Sequence, residues 1–236
     1  MKLRILHLYP KEMNLYGDHG NILALKKRCE WRNIKTEVIS YEQGDAFPKD
    51  IDIIFGGGGQ DSGQDKIADD LLSHKRDIEE LIKGGTPALF ICGLYQLMGK
   101  EFITSEGESI PGLGIFKMTT NAGNKRLIGN VVVDSPLFGE IVGFENHSGC
   151  TILEKSMKPL GKVIKGGGNN GQDRTEGVIF KNAIGTYLHG PVLPQNPIMT
   201  DFIIQVAIDR KYDRSISPLD NKFEDKAHRA AVVRPR

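Results

Sequence analysis

The chain has 236 residues, of which 39% are hydrophobic and 26% charged, and its formal net charge is +1. This length allows one large domain with a full hydrophobic core. The near-neutral balance argues against nucleic-acid or membrane-surface binding through bulk charge, and no apolar run approaches transmembrane length. The N-terminal apolar run is too short for a signal peptide, and three cysteines without zinc-ligand spacing fit a reducing, cytoplasmic setting. We therefore expect a single domain over residues 1–236, with a charged tail from about residue 212, no metal site and no cofactor.

The N-terminal half alternates between strand-like and helix-like segments. Short apolar runs predict strands, and apolar residues at helical spacing predict amphipathic helices, with Cys29 on the buried face of the first helix. The predicted strands cover 3–8, 36–39, 51–55 and 88–91, and the predicted helices cover about 20–29 and 65–83. Repeated strand–helix–strand crossovers are typical of an open, mostly parallel, doubly wound α/β sheet flanked by helices. Ligands of such sheets lie at the carboxyl ends of the strands.

From about residue 112 the pattern changes to short β-like runs separated by Gly, Asn and Asp. They are predicted at 114–118, 127–133, 163–165, 177–180 and 183–188. The glycine-rich stretch 165–171 lacks the Lys-Ser/Thr ending of a phosphate loop and is predicted to be a mobile surface hairpin. A last helix is predicted over about 198–211, followed by a short helix and a frayed end.

The stretch from Pro87 to Gln96 is the strongest chemical signal in the N-terminal half. A short buried strand runs directly into Cys92-Gly93, and the next residues suit the first turn of a helix. A thiol on such a turn is a nucleophile elbow, and the positive end of the helix favours its thiolate form. The alternative is a core cysteine at a strand end, since free cysteines are often buried.

A cysteine nucleophile needs a base and donors for the developing oxyanion. His189 follows a predicted strand and precedes Gly190-Pro191, so it falls at the same sheet edge as Cys92. The N–H of Gly93 supplies one oxyanion donor, and the second is expected from the glycine run after strand 51–55, at Gly57 or Gly58.

Four motifs occur in the order seen in class I glutamine amidotransferases. They are Gly-Gly-Gly-Gln-Asp ending at Asp61, Ile-Cys-Gly-Leu-Tyr-Gln around Cys92, Gly-Phe-Glu-Asn-His-Ser-Gly at 143–149, and Gly-Thr-Tyr-Leu-His-Gly-Pro at 185–191. The chain resembles the CobB/CobQ-like branch of that family over about residues 3–210. The resemblance implies a flavodoxin-like fold and hydrolysis of L-glutamine through a thioester on Cys92, with His189 as base.

The resemblance also implies roles for further side chains. Arg126 matches the family's substrate-binding arginine, whose guanidinium pairs with the α-carboxylate of glutamine. Gln96 is expected to hold substrate, and Glu145 to support the site by hydrogen bonds. His147 and Cys150, close to Glu145, have no further metal ligands near them in sequence and are interpreted as structural.

The segment 14–22, the chain length and the lack of a synthetase domain narrow the resemblance. They favour a free-standing subunit that passes ammonia to a MurT-like Mur ligase, which uses ATP and Mg²⁺ to amidate D-glutamate in a lipid-linked peptidoglycan precursor. Three alternatives stay open. The chain could serve a cobyric-acid-type or other ATP-dependent synthetase, act as a non-catalytic assembly subunit, or be a thiol hydrolase with another substrate.

Two departures from the family pattern bear on the chemistry. Leu94 stands where the elbow usually has a second glycine, which predicts a narrower pocket. Pro191 stands where many members have a glutamate two residues after the histidine, so no third catalytic residue is evident. The catalytic group then has three possible compositions. It consists of Cys92 and His189 alone, it includes Glu145, or it is completed by a carboxylate from the partner.

Overall fold

The computed structural model describes residues 1–235 as two six-stranded sheets with helices around them. The strands are β1 Lys2–Leu8, β2 Lys35–Tyr41, β3 Ile53–Gly56, β4 Ala88–Ile91, β5 Glu101–Ile103, β6 Ser109–Pro111, β7 Met118–Ser135, β8 Gly139–Leu153, β9 Gly161–Lys165, β10 Thr175–Glu176, β11 Val178–Phe180 and β12 Ala183–Thr186. The helices are α1 His19–Glu30, α2 Asp61–Ser73, α3 Lys75–Lys83, α4 Gly93–Leu97, α5 Val192–Gln195, α6 Pro197–Tyr212 and α7 Lys222–Val232. None of the helices within residues 1–235 is both long and apolar enough to cross a membrane.

The first sheet has the strand order β11-β12-β4-β3-β1-β2. All its pairings are parallel except that of β11 with β12. The residues of β3, β4 and β12 are all buried, as expected for strands covered on both faces. The predicted open, mostly parallel α/β sheet is confirmed, and it brings the ends of β3, β4 and β12 to one edge.

The second sheet has the order β10-β9-β7-β5-β6, with β8 paired to β7. The prediction of short β segments underestimated it, because β7 has 18 residues and β8, which was not predicted, has 15. Their pairing is interrupted between Ala122 and Leu127, where the register shifts. Gly and Asn in these strands indicate turns when read locally, but cross-strand backbone hydrogen bonds keep the chain extended.

Two local predictions were wrong. The helix predicted over 65–83 is divided at His74, whose φ of −100° and ψ of 12° leave helical geometry and whose ring stacks on Phe47 at 4.8 Å. The loop predicted at 165–171 to be a mobile surface hairpin is anchored in its middle, because residues 167–169 are buried and the Nδ2 of Asn169 donates to the oxygen of Gly177 at 3.1 Å. Tertiary contacts therefore decide both segments.

The charged tail is folded onto the body of the protein. Ala231 of α7 packs with Val132 and Val142 of the second sheet. Arg28 of α1 and Arg32, just after that helix, have side chains only 4% and 2% exposed, and both bind the Asp201 carboxylate of α6. Arg28 also donates to Asn221 and Glu224 of the tail, so this cluster joins three separate parts of the chain. Cys29 lies in the core beside it, as predicted.

We expect Asp201→Ala to lower the free energy of unfolding by about 3 kcal/mol, because it leaves two buried guanidinium groups without their shared carboxylate. Burial raises the pKa of Asp201, but the hydrogen bonds from Arg28 and Arg32 outweigh it and lower the pKa overall. This carboxylate therefore stabilises the fold above the pKa of the unfolded chain, and the contribution is lost as the pH falls. Urea unfolding at pH 7 and below about pH 3 measures both effects. The exposed Asp209 of the same helix gives a control, since Asp209→Ala should change stability little.

Candidate active site

Cys92 occupies a sharp turn between β4 and α4. Its φ of 46° and ψ of −102° lie in a region that side-chain-bearing residues rarely adopt. The turn is fixed on both sides: the N–H of Cys92 donates to the oxygen of Thr186 at 2.9 Å, and its carbonyl accepts from the N–H of Gln96 at 2.9 Å. Cys92 is 8% exposed and lines a pocket. This is the geometry of a nucleophile elbow.

Leu94 does not narrow that pocket, contrary to the prediction. Its side chain is fully buried and is absent from the pocket lining. It fills the space above Gly56, where a Cβ would lie 2.8 Å from Leu94 Cγ. The elbow therefore accommodates Leu94 in place of the usual second glycine, because Gly56 on β3 leaves room for its side chain.

His189 lies fully buried behind the nucleophile. Its backbone exchanges hydrogen bonds with Phe144 of β8, at 2.8 and 3.0 Å. Its Nδ1 lies 3.1 Å from Oδ1 of Asp18, which is also fully buried. Among the described residues Nε2 makes no hydrogen bond, so this nitrogen is free to exchange a proton with the thiol or the substrate.

Asp18 is thus the acidic third residue that the sequence analysis did not find. An Asp directly before a helix is interpreted as an N-cap, yet its side chain makes no capping hydrogen bond to α1. Its Oδ2 instead accepts from the N–H of Gly58 at 2.7 Å. Glu145 is engaged elsewhere, since both of its oxygens accept hydrogen bonds from Gly167 and Gly168. Glu145 therefore braces the glycine-rich loop.

The charges around His189 favour its imidazolium form. Burial alone lowers the pKa of His189, but its interactions with Asp18 and Cys92 outweigh burial and raise the pKa to about 10. A protonated imidazole next to the thiol stabilises a thiolate and provides the proton that a leaving amine needs.

The oxyanion donors differ in part from the prediction. The N–H of Gly58 donates to Asp18, and the carbonyl of Gly57 accepts from Leu94. Gly59 takes their place: its nitrogen lies 2.8 Å from the position of a Cβ on Gly93, and it lines the pocket beside Cys92. Neither Gly59 nor Gly93 donates its N–H to another described residue. These two amides are the pair available to an oxyanion.

Cys92 lies in a pocket of about 490 Å³ between the two sheets. Its lining residues are Leu15, Tyr16, Gly59, Gln60, Asp61, Gln64, Cys92, Gln96, Phe102, Arg126, Asn146, His147, Ser148 and Gly149. The structure thus brings the predicted Gln96 and Arg126 to Cys92, and it adds Tyr16 and Gln64, which no sequence motif had indicated as site residues.

Hydrogen bonds hold the substrate-facing side chains in place. Arg126 Nε donates to Asn146 Oδ1 at 2.6 Å, and its Nη2 donates to the Tyr16 hydroxyl at 3.3 Å. Gln96 accepts from Gln64 at 2.9 Å and donates to the Tyr187 hydroxyl at 3.2 Å. Side chains anchored in this way lose little further freedom when a ligand binds.

His147 is held as a neutral ring. It stacks on Tyr187 with 3.6 Å between ring centroids, and its Nδ1 is 2.8 Å from the carbonyl oxygen of Gly149. Burial lowers its pKa to about 4 despite that hydrogen bond. Residues 1–235 contain no group of three His, Cys, Asp or Glu side chains placed to hold a metal ion.

The fold, the elbow and the buried arrangement of Cys92, His189 and Asp18 together define a cysteine-dependent amidotransferase. The family model of the CobB/CobQ-like glutamine amidotransferase domain matches residues 4–197, and the chain belongs to this family. It is 41% identical over 99% of its length to subunit GatD of the glutamine-hydrolysing lipid II isoglutaminyl synthase of Staphylococcus aureus, covering 96% of that protein. The GatD subunit of Streptococcus pneumoniae is 41% identical over 91% of the chain and 84% of that protein.

More distant matches show the extent of the family and the fold. A probable cobyric acid synthase of Methanocaldococcus jannaschii is 33% identical over 70% of the chain, which covers 37% of that longer protein. Among solved structures, PurLQS from Thermotoga maritima matches with a TM-score of 0.61 at 17% identity, over 89% of this chain and 99% of that one. At this identity the structural likeness shows the fold alone.

We expect Asp18→Asn to lower kcat for glutamine hydrolysis on the order of 10²–10⁴-fold, because the amide no longer stabilises the imidazolium. Removing the negative charge lowers the pKa of His189. The limb of the pH–rate profile that reports His189 should therefore move to lower pH. An unchanged profile with a wild-type kcat would remove Asp18 from the catalytic group.

Gly58 is predicted to tolerate no side chain. A Cβ there would lie 2.8 Å from His189 Cε1 and 3.2 Å from both Asp18 Oδ2 and Cys92 Cβ. Gly58→Ala should therefore push the three catalytic side chains apart and lower kcat by roughly 10²-fold. Gly63→Ala is the matched control, since a Cβ there has no neighbour closer than 3.5 Å. Initial-rate kinetics on both variants measure the difference.

Proposed function

We propose that this chain is the glutamine-hydrolysing subunit of a lipid II isoglutaminyl synthase and supplies ammonia to a MurT-like Mur ligase. The observation that carries the proposal is the buried Cys92–His189–Asp18 arrangement at a pocket, in a chain aligned almost end to end with two GatD subunits. The two observations support different parts of the proposal. The geometry of the site supports the hydrolysis of glutamine, and the GatD relatives support the peptidoglycan precursor as the acceptor of ammonia.

The reaction begins with attack of the Cys92 thiolate on the side-chain amide carbon of L-glutamine. The N–H groups of Gly59 and Gly93 hold the oxyanion that forms on the amide oxygen. His189 then gives its proton to the departing nitrogen, so that ammonia leaves and a glutamyl thioester remains. Neutral His189 next takes a proton from water, whose oxygen attacks the thioester, and glutamate leaves with the thiolate restored. Asp18 holds the imidazole in orientation throughout.

The ammonia is proposed to pass to the ligase before it equilibrates with solvent. The MurT-like subunit uses ATP and Mg²⁺ to activate the α-carboxyl of D-glutamate in the peptidoglycan stem peptide, and ammonia converts it to the amide. This chain needs no cofactor of its own for that division of labour. The heterodimer works in the cytoplasm, where the lipid-linked precursor is assembled, without inserting into the membrane.

The test is glutamate release from L-glutamine by the wild type, Cys92→Ser and Cys150→Ser, each alone and with a Mur-ligase-like protein of the same organism. We expect Cys92→Ser to lose at least about 10³-fold in rate, because a hydroxyl at this position is a far weaker nucleophile than a thiolate. Cys150, a half-buried thiol outside the pocket lining, is the matched control and should retain activity.

The same mixtures, supplied with ATP, Mg²⁺ and lipid II, test the acceptor by mass spectrometry of the stem peptide. Glutamine-dependent amidation that needs Cys92 supports the full proposal. Glutamate release without lipid II amidation would keep the glutaminase and redirect the search to another ATP-dependent synthetase. Amidation that proceeds with Cys92→Ser and glutamine would reduce the chain to an assembly subunit.

A further inference from the structure

The reaction proposed above leaves one charged side chain of the pocket unused. Among the described residues that line the pocket, Asp61 is the one carboxylic acid and Arg126 the one guanidinium, and burial lowers the pKa of His147 to about 4. Arg126 comes from β7 of the second sheet, whereas Asp61 is the first residue of α2 next to the first sheet. The pocket therefore has one cationic and one anionic group, placed on different elements.

Asp61 has no hydrogen bond or ion pair with any residue in the described range 1–235, and its side chain is exposed. It follows Gly59, the proposed oxyanion donor, by two residues, so the same short segment lines the pocket from the reacting atoms to the carboxylate. An acidic residue in the first turn also stabilises a helix through the helix dipole. That role alone would not require the residue to line the pocket.

The guanidinium of Arg126 has hydrogen-bond donors that remain available to a ligand. Its Nε and Nη2 are bound to Asn146 and Tyr16, which leaves the Nη1 hydrogens without an acceptor among the described residues. A guanidinium of this kind pairs with a carboxylate. Free L-glutamine carries a carboxylate and an ammonium on the same carbon, with no net charge. A site that binds the carboxylate alone would accept any glutaric monoamide, with or without an α-amino group.

Resting on the proposed function, we propose that Asp61 binds the α-ammonium of L-glutamine and makes the site specific for a free α-amino acid. The Asp61 carboxylate pairs with the ammonium while Arg126 pairs with the α-carboxylate. The carbon that bears both groups is thereby fixed, and the side-chain amide is directed to Cys92. Glutamine within a peptide chain, whose nitrogen is an uncharged amide, is excluded by the same contact.

The test compares Asp61→Asn with Asp65→Asn, the acidic residue one helical turn further along α2 that is exposed and lies outside the pocket lining. Each variant is assayed with L-glutamine and with glutaramate, which is glutamine without its α-amino group. We expect Asp61→Asn to raise KM for L-glutamine by about 10-fold with kcat nearly unchanged, since the lost contact is made equally before and during reaction. KM for glutaramate should change little, so the preference for L-glutamine falls by a similar factor.

Asp65→Asn should leave both KM values and the preference at the wild-type level. A preference that is unchanged in Asp61→Asn, even with a lowered Tm, would overturn the proposal and leave Asp61 as a helix-stabilising residue. Equal losses in the two variants would do the same, since they would reflect the general charge of α2. A fall in kcat at constant KM would also contradict a binding role.

Failure of the proposed function is separable from failure of this inference. If the wild type releases no glutamate, glutaminase activity is lost as an explanation, and calorimetry of L-glutamine binding to Cys92→Ser then tests Asp61 without turnover. Binding that weakens about 10-fold on adding Asp61→Asn, and not on adding Asp65→Asn, supports the contact. Equal binding by both double variants rejects it.

Discussion

The backbone at Cys92 is the constraint on which the site depends. A positive φ at a residue with a side chain costs on the order of 1–3 kcal/mol, and it persists because the surroundings leave no alternative. Hydrogen bonds to Thr186 and from Gln96 fix the two ends of the turn. Leu94 packs in the space above Gly56, so the start of the helix lies close against the sheet. The strain places the thiol above the sheet edge, where base and substrate reach it.

A second constraint is the burial of charge. Asp18 and His189 are both removed from water, and a carboxylate is costly there unless it is paired and hydrogen-bonded. The N–H of Gly58 and Nδ1 of His189 satisfy its two oxygens. Because Gly58 has no side chain, Asp18, His189 and the nucleophile approach each other around it. One glycine thus permits the close contact that keeps the imidazole charged and oriented.

The two sheets divide the work of the site. The first sheet positions Cys92, the amides of Gly59 and Gly93, and Asp61 at the ends of β3 and β4. The second sheet supplies Arg126 and Asn146 from the long β7–β8 pair, and α7 packs against that pair through Ala231. Rigid elements therefore hold both the reacting group and the groups that orient the substrate. Catalysis by proximity and orientation requires such fixed positions.

The sequence by itself determined the parallel sheet, the elbow at Cys92 and the base His189, because apolar periodicity and the strand–glycine–helix junction are local signals. The motifs indicated the family, and the resemblance to it implied Arg126 and Gln96 as substrate-binding residues. Only the tertiary structure placed Asp18 beside His189, Gly59 in the pocket lining and the Leu94 side chain outside it. These depend on side chains distant in sequence: Asp18 is 171 residues from His189, and locally it has the pattern of a helix cap. The length of β7 and β8 could not be predicted from the sequence for the same reason, since long-range pairing overrides the turn preference of their Gly and Asn residues.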